Sequence, residues 1–183
     1  MARLSNHVEP HGALDIARHY IRELIYGAND GIITTFAVVA SVAGGGLSAR
    51  VVLICGIANL LADGLSMAAG NYLAIRSSES VREAQGLPEE EAAPRRHAAV
   101  TFAAFVVAGA LPLMPYVLDT VPGSRFAWSV VVAFIAMFAI GASRTFISNT
   151  RWWAGGLEML GLGAIVTAVA YGVGAFVAGL IEG

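Results

Sequence analysis

Five apolar stretches, each about as long as a bilayer is thick in helix, constrain this chain more than any other feature. A hydrocarbon core of ~30 Å takes ~20 residues of α-helix. Runs at 28–46, 51–75, 98–118, 126–147 and 154–180 meet that length. Gly44-Gly45-Gly46 separates the first two, and Arg76 with the acidic segment after it closes the second. Pro122-Gly123 turns the third into the fourth, and 149–153 separates the fourth from the fifth. Pro112 and Pro115 should kink the end of the third, where neighbouring helices can re-satisfy the freed backbone groups. The expected fold is an all-α integral membrane protein of five transmembrane helices over 27–183, preceded by an N-terminal segment, 1–26.

Composition excludes the soluble alternative. Charged residues are 13% of the chain, against roughly a quarter in soluble domains, and the mean hydropathy is +0.69. A net charge of −2 offers no basic face for nucleic acid. The one cysteine, Cys55, lies in an apolar run and has no intrachain partner for a disulfide. Before Gly27 the chain mixes His, Arg, Glu and Asp without the apolar core of a signal peptide, so the first span is expected to direct insertion itself. In that segment Leu14, Ala17, Ile21, Leu24 and Ile25 recur at helical spacing, the pattern of an amphipathic helix on the membrane surface.

Every basic residue is arginine. With five spans, one side receives Arg3, Arg18, Arg22, Arg76, Arg82, Arg95, Arg96, Arg144 and Arg151, and the other only Arg50 and Arg125. The positive-inside rule puts the N-terminus in the cytoplasm and the C-terminus outside. Trp152 and Trp153 beside Arg151 suit the interfacial aromatic belt.

Ionisable groups within spans are costly and mark function. Asp30 stands early in the first span, with Thr34 and Thr35 continuing a polar stripe. Asp63 is near the middle of the second, where Asn59, Asp63 and Met67 follow at i, i+4 and i+8 on one helix face, extended by Asn71. Such groups also serve as interhelical glue, and a methionine alone is ordinary packing. Two aspartates on adjacent spans with a methionine in register favour an ion path. Carboxylates accept any divalent cation, while a thioether favours softer transition metals over Mg²⁺ or Ca²⁺. With no histidine in the expected spans, a closed structural zinc site is disfavoured. A carboxylate in a low-dielectric path holds protons more readily than in water, so metal loading would displace protons. Glu158, one turn into the fifth span, reads as a solvated carboxylate. His7, His11 and His19, and the five glutamates from Glu79 to Glu91, read as surface groups with a weak capacity for cations.

Two segments resemble the vacuolar iron transporter family: Gly27-Ala-Asn-Asp-Gly-Ile-Ile-Thr-Thr-Phe-Ala-Val-Val39 and Gly56-Ile-Ala-Asn-Leu-Leu-Ala-Asp-Gly-Leu-Ser-Met-Ala-Ala-Gly70. Gly109-Ala-Leu-Pro-Leu-Met-Pro-Tyr116 and the glycine-rich fifth helix are similar more loosely. The resemblance implies a five-span homodimer exporting Fe²⁺, Mn²⁺ or related metals from the cytosol in exchange for protons. Metal and protons are then its substrates, membrane lipid its surroundings, and no resident cofactor is implied. The family's mid-membrane aspartate matches Asp30 and its essential methionine Met67; a cytosolic-entrance acid matches Glu23, and His19 replaces a further entrance carboxylate. Asn71 stands where many relatives have glutamate. Between spans two and three, the glutamate-rich cytoplasmic domain of the better-understood members is replaced by what reads as a loop from Ser77 to His97.

Two other classes compete. An aspartate pair in the membrane can serve a protease, although no substrate groove is legible. Small residues at Gly64/Ala68 and Gly174/Ala178 suit a non-transporting scaffold subunit. The arginine- and alanine-rich composition suggests a bacterial plasma membrane.

Overall fold

In a computed structural model that describes residues 12–118, 122–146 and 151–182, the described residues are helical wherever they are regular, apart from an isolated bridge at Glu89. A short helix α1 (Ala13–His19) leads into α2 (Ile21–Gly44), followed by α3 (Ala49–Ala84) and α4 (Pro94–Gly109). A 3₁₀ turn at Leu111–Leu113 and the one-turn α5 (Met114–Val117) complete the third crossing. Helices α6 (Arg125–Ser143) and α7 (Trp152–Glu182) follow. Among the described residues, five helical segments are long and apolar enough to cross a membrane: α2, α3, Pro94–Val117, α6 and α7.

Helix boundaries depart from the apolar runs at several ends. The first long helix begins at Ile21 and so includes Glu23; only Tyr20, at φ −98° and ψ 11°, separates it from α1. The second helix continues to Ala84, so the expected loop from Ser77 to His97 contracts to 85–93. The reason is local: no glycine or proline occurs between Arg76 and Gly86, and Arg82 binds the loop that follows. Gly86 takes φ 71°, with Gly86 N–H donating to Glu83 O and Leu87 N–H to Arg82 O. This is a Schellman end, which closes a helix on a left-handed glycine. The turn between α2 and α3 uses the same device at Gly46, φ 66°, with Gly46 N–H on Ala43 O and Leu47 N–H on Val42 O.

The third crossing breaks at Pro112, whose carbonyl accepts a 2.6 Å hydrogen bond from the buried Ser129 hydroxyl of α6. A carbonyl freed by the break is thereby satisfied inside the bundle, as low-dielectric surroundings require.

Helix α2 runs through the middle and packs on α3, α4, α6 and α7. Its Ile32, Phe36 and Val39 are fully buried with Phe105 of α4 and Met137 of α6. Phe36 meets Phe134 edge-on at 6.2 Å between ring centroids. Lipid offers no hydrophobic drive between helices, so association rests on close packing, and small residues permit it. Gly31 lies directly against the Phe105 backbone, Gly44 against Tyr171, and Gly141 against Gly155. Helix α7 turns most of its apolar side chains outward, among them Ile165, Val169, Val173, Phe176 and Leu180.

Candidate metal site

Asp30, one residue short of the Gly31–Phe105 contact, is half-buried on α2. Its carboxylate lies within Coulombic reach of Asp63 on α3. Residues 59, 63, 67 and 71 are all partly buried, whereas Leu61, Leu65 and Ala69 between them are exposed. The polar stripe of α3 therefore lies beside the buried line of Leu60, Gly64 and Ala68, and Leu61, Leu65 and Ala69 face outward. That is the arrangement for polar groups that line a path rather than meet lipid.

Several of these groups are enclosed without a protein partner. Asn59 Nδ2, Asn29 Oδ1 and Thr35 Oγ1 are buried and make no hydrogen bond among the described residues. A buried polar atom without a partner is costly and calls for an occupant or a role. Thr34 differs: its hydroxyl donates to the Asp30 carbonyl at 2.9 Å, an ordinary bond within the helix.

Met67 packs against the core and also lines a cleft of about 690 Å³. Glu23, Arg22 and Tyr26 of α2 and Asn71, Ala74 and Ser78 of α3 line the same cleft. It joins the expected mouth residue Glu23 to the expected path residue Met67. Asn71 has a structural partner there, donating at 2.8 Å to Thr101 Oγ1, whose own hydroxyl donates to the His97 carbonyl.

At the arginine-rich end, four side chains converge. His97, in the first turn of α4, is buried. Its Nδ1 stands 3.1 Å from Glu23 Oε1 and its Nε2 3.0 Å from Glu91 Oε1. His19 Nε2, at the end of α1, lies 3.7 Å from Glu91 Oε2. Tyr20, itself buried, presents its ring edge-on to both imidazoles, with centroids 4.7 Å from each. His19, Glu91 and His97 each offer a ligand atom within 4.8 Å of the others.

The sequence expectation placed His19 and Glu23 together at the mouth. The structure puts the His97 ring between them: His19 meets Glu91, and Glu23 meets His97. His97 and Glu91 were not foreseen as a pair, and the expectation of spans without histidine fails, because α4 starts at Pro94 and carries His97 into its first turn. Proline at a helix start was the legible signal, since its missing N–H costs nothing there. Glu79 is likewise structural, accepting the backbone N–H groups of Glu90 and Glu91 at 3.2 and 3.0 Å. Glu158 is exposed and pairs with Arg144 at 3.2 Å. His7 and His11 lie outside the described residues.

Comparison with known proteins decides the family. The model of the VIT family matches residues 21–91 and 79–175, most of the chain. The chain belongs to the VIT family. Vacuolar iron transporter 1 of Arabidopsis thaliana is 27% identical over 225 residues, covering 92% of this chain and 89% of the plant protein. Vacuolar iron transporter homolog 5 of Oryza sativa is 34% identical over 139 residues, covering 70% and 67%. The vacuolar iron transporter of Toxoplasma gondii is 38% identical over 85 residues, 46% of this chain and 28% of that one. The two VIT family segments meet at 79–91, the end of α3 and the short connection to α4. VIT family transporters are not enzymes, which removes the protease alternative. The glycines that suggested a scaffold are used inside the chain: Gly64 packs on Phe102 and Phe105, and Gly174 on Ser41.

Proposed function

We propose that this protein moves Fe²⁺, with Mn²⁺ as a second substrate, out of the cytosol in exchange for protons. The carrying observation is the approach of Asp30 on α2 to Asp63 on α3 within helices apolar enough to span a membrane. Two carboxylates within Coulombic reach of one another in such surroundings suit a divalent cation, and in its absence suit protons. Asn59 contributes an unpartnered amide and Met67 a thioether, which biases the set toward transition metals over Mg²⁺. The relatives' name as iron transporters supports iron as the metal.

The arginine bias supports a cytoplasmic N-terminus, which would place the Glu23 cleft on the cytosolic side and make transport through it export. The described chain exposes Ile54, Ile57, Leu61 and Leu65 along α3, a face suited to a second copy in a homodimer that encloses the path. A bacterial plasma membrane is the proposed location.

Flux in proteoliposomes tests the reading. Fe²⁺ and Mn²⁺ uptake driven by a pH gradient is expected, falling at least tenfold in Asp30→Ala and Met67→Ala. Met67→Leu, which keeps shape and removes sulfur, should lose discrimination against Mg²⁺ before it loses flux. Folded protein that moves no divalent metal under any gradient would sink the proposal.

A further inference from the structure

We propose that His19, Glu91 and His97 form a binding site for a divalent transition-metal ion at the arginine-rich end, with Glu23 positioning His97 from outside the ligand set. This goes beyond the path of Asp30, Asp63 and Met67 and does not depend on transport.

The first support is convergence. The three residues come from the end of α1, the connection between α3 and α4, and the first turn of α4, yet their ligand atoms lie within 4.8 Å of one another. Metal–ligand bonds of about 2.0–2.2 Å hold ligand atoms about 3 to 4 Å apart, so small side-chain rotations close the set around an ion. Burial is graded suitably: the His97 side chain is 6% exposed, Glu91 21% and His19 24%. The Glu91 and His19 side chains are partly exposed, while the atoms His19 Nε2 and Glu91 Oε1 are themselves enclosed.

The second support is geometry that a proton does not explain. A histidinium clamped by two carboxylates would point an N–H at each. The His97 nitrogens are 3.1 and 3.0 Å from Glu23 and Glu91, but neither makes an aligned hydrogen bond. Close approach without alignment suits groups gathered about a common centre.

The division of roles follows from the ring. An imidazole gives one nitrogen to a metal and donates from the other, commonly to a carboxylate that fixes its tautomer. His97 Nε2 faces Glu91, on the side shared with His19, while Nδ1 faces Glu23. Glu23 is thus placed to accept from Nδ1–H after a small rotation of the ring, once Nε2 holds the ion. Two imidazoles and one carboxylate select Mn²⁺, Fe²⁺, Co²⁺ or Zn²⁺ over Mg²⁺ and Ca²⁺, and three protein ligands leave positions open for exchange. Glu23 also lines the cleft toward Met67, so an ion released here has an acidic group at the next step.

The test is Mn²⁺ binding to the full chain in nanodiscs, read by the imidazole-nitrogen modulation in pulsed electron paramagnetic resonance. The Asp30/Asp63/Met67 set contains no histidine, so this signal separates the two sites. Wild type should show it, and so should Asp30→Ala/Met67→Ala and His7→Ala/His11→Ala. It should fall to the modulation of a single imidazole, with weaker binding, in His19→Gln and in His97→Gln, and vanish in His19→Gln/His97→Gln; Glu23→Gln should weaken Mn²⁺ binding roughly 10–100-fold while retaining the nitrogen signal. If His97→Gln fails to fold, His19→Gln, at the more exposed imidazole, is the deciding variant. Absence of the signal in wild type, an undiminished two-imidazole signal in His19→Gln, or its loss in His7→Ala/His11→Ala would overturn the proposal. A protein inactive in flux that still gives the signal would fail the transport reading alone.

Discussion

Asn71 Nδ2 donates to Thr101 Oγ1 at 2.8 Å, and because the Thr101 hydroxyl proton is already given to the His97 carbonyl, position 71 must supply a donor. This one bond ties the cleft-lining face of α3 to the turn of α4 that carries His97. It gives a structural reason for an amide where the family resemblance leads one to expect glutamate.

Asn71→Asp should therefore destabilise the protein more than Asn71→Ala. An ionised carboxylate places two acceptors against Thr101 Oγ1, whereas alanine only deletes a bond worth about 0.5–1.5 kcal/mol. Thermal unfolding in detergent, followed by helical circular dichroism, should rank the melting temperatures wild type, Asn71→Ala, Asn71→Asp. An Asn71→Asp protein as stable as wild type would show that Thr101 needs no donor from position 71.

A Cβ on Gly31 would strike the Phe105 backbone, which no side-chain rotation relieves. Gly31→Ala should cost at least about 1–3 kcal/mol, the usual range for overpacking a tight contact. Gly70, where a Cβ meets nothing within 4 Å, is the matched control: Gly70→Ala should leave the melting temperature unchanged or raise it slightly. Equal responses at the two glycines would mean that α2 and α4 are not packed backbone to backbone.

Arg82 donates to the Pro88 carbonyl from Nε and Nη2, at 3.1 and 3.0 Å, and pairs with Glu90 at 2.8 Å. It thereby holds the connection that presents Glu91, without touching the proposed ion. Arg82→Ala should raise amide exchange across 85–93 and weaken Mn²⁺ binding several-fold with the imidazole-nitrogen signal retained. Unchanged exchange in that segment would show that the glycine-closed helix end suffices by itself.

The Arg144–Glu158 pair is exposed on both sides, at 46% and 59%. Solvent screening leaves such pairs worth about 0–1 kcal/mol. Glu158→Gln is expected to change the melting temperature by no more than a degree or two and to leave metal flux at the wild-type rate. A large loss of flux would place Glu158 in the path after all.

Much of this molecule was legible in its residue order because the dominant signals are local. Hydropathy adds up along a helix, so five apolar runs announced five long helices, and Gly46, Pro112 and Pro122-Gly123 marked where regular structure ends or turns. The i, i+4, i+8 stripe of Asn59, Asp63 and Met67 follows from helical geometry alone, as does the side of α3 it occupies. Boundaries at Ile21 and Ala84 were not legible, because polar residues continue a helix as readily as apolar ones when no breaker intervenes.

Tertiary structure decided which polar groups meet. Asp30 comes within Coulombic reach of Asp63 because α2 and α3 pack side by side. His97 joins Glu23, Glu91 and His19 although 73 residues of chain lie between positions 23 and 97. No periodicity encodes that meeting. It depends on the length of α3, on the Schellman end at Gly86, and on the arginine that folds the connection back. Sequence alone established a membrane bundle with acids in its first two spans; packing gathered a histidine cluster beside the cleft that leads to Met67.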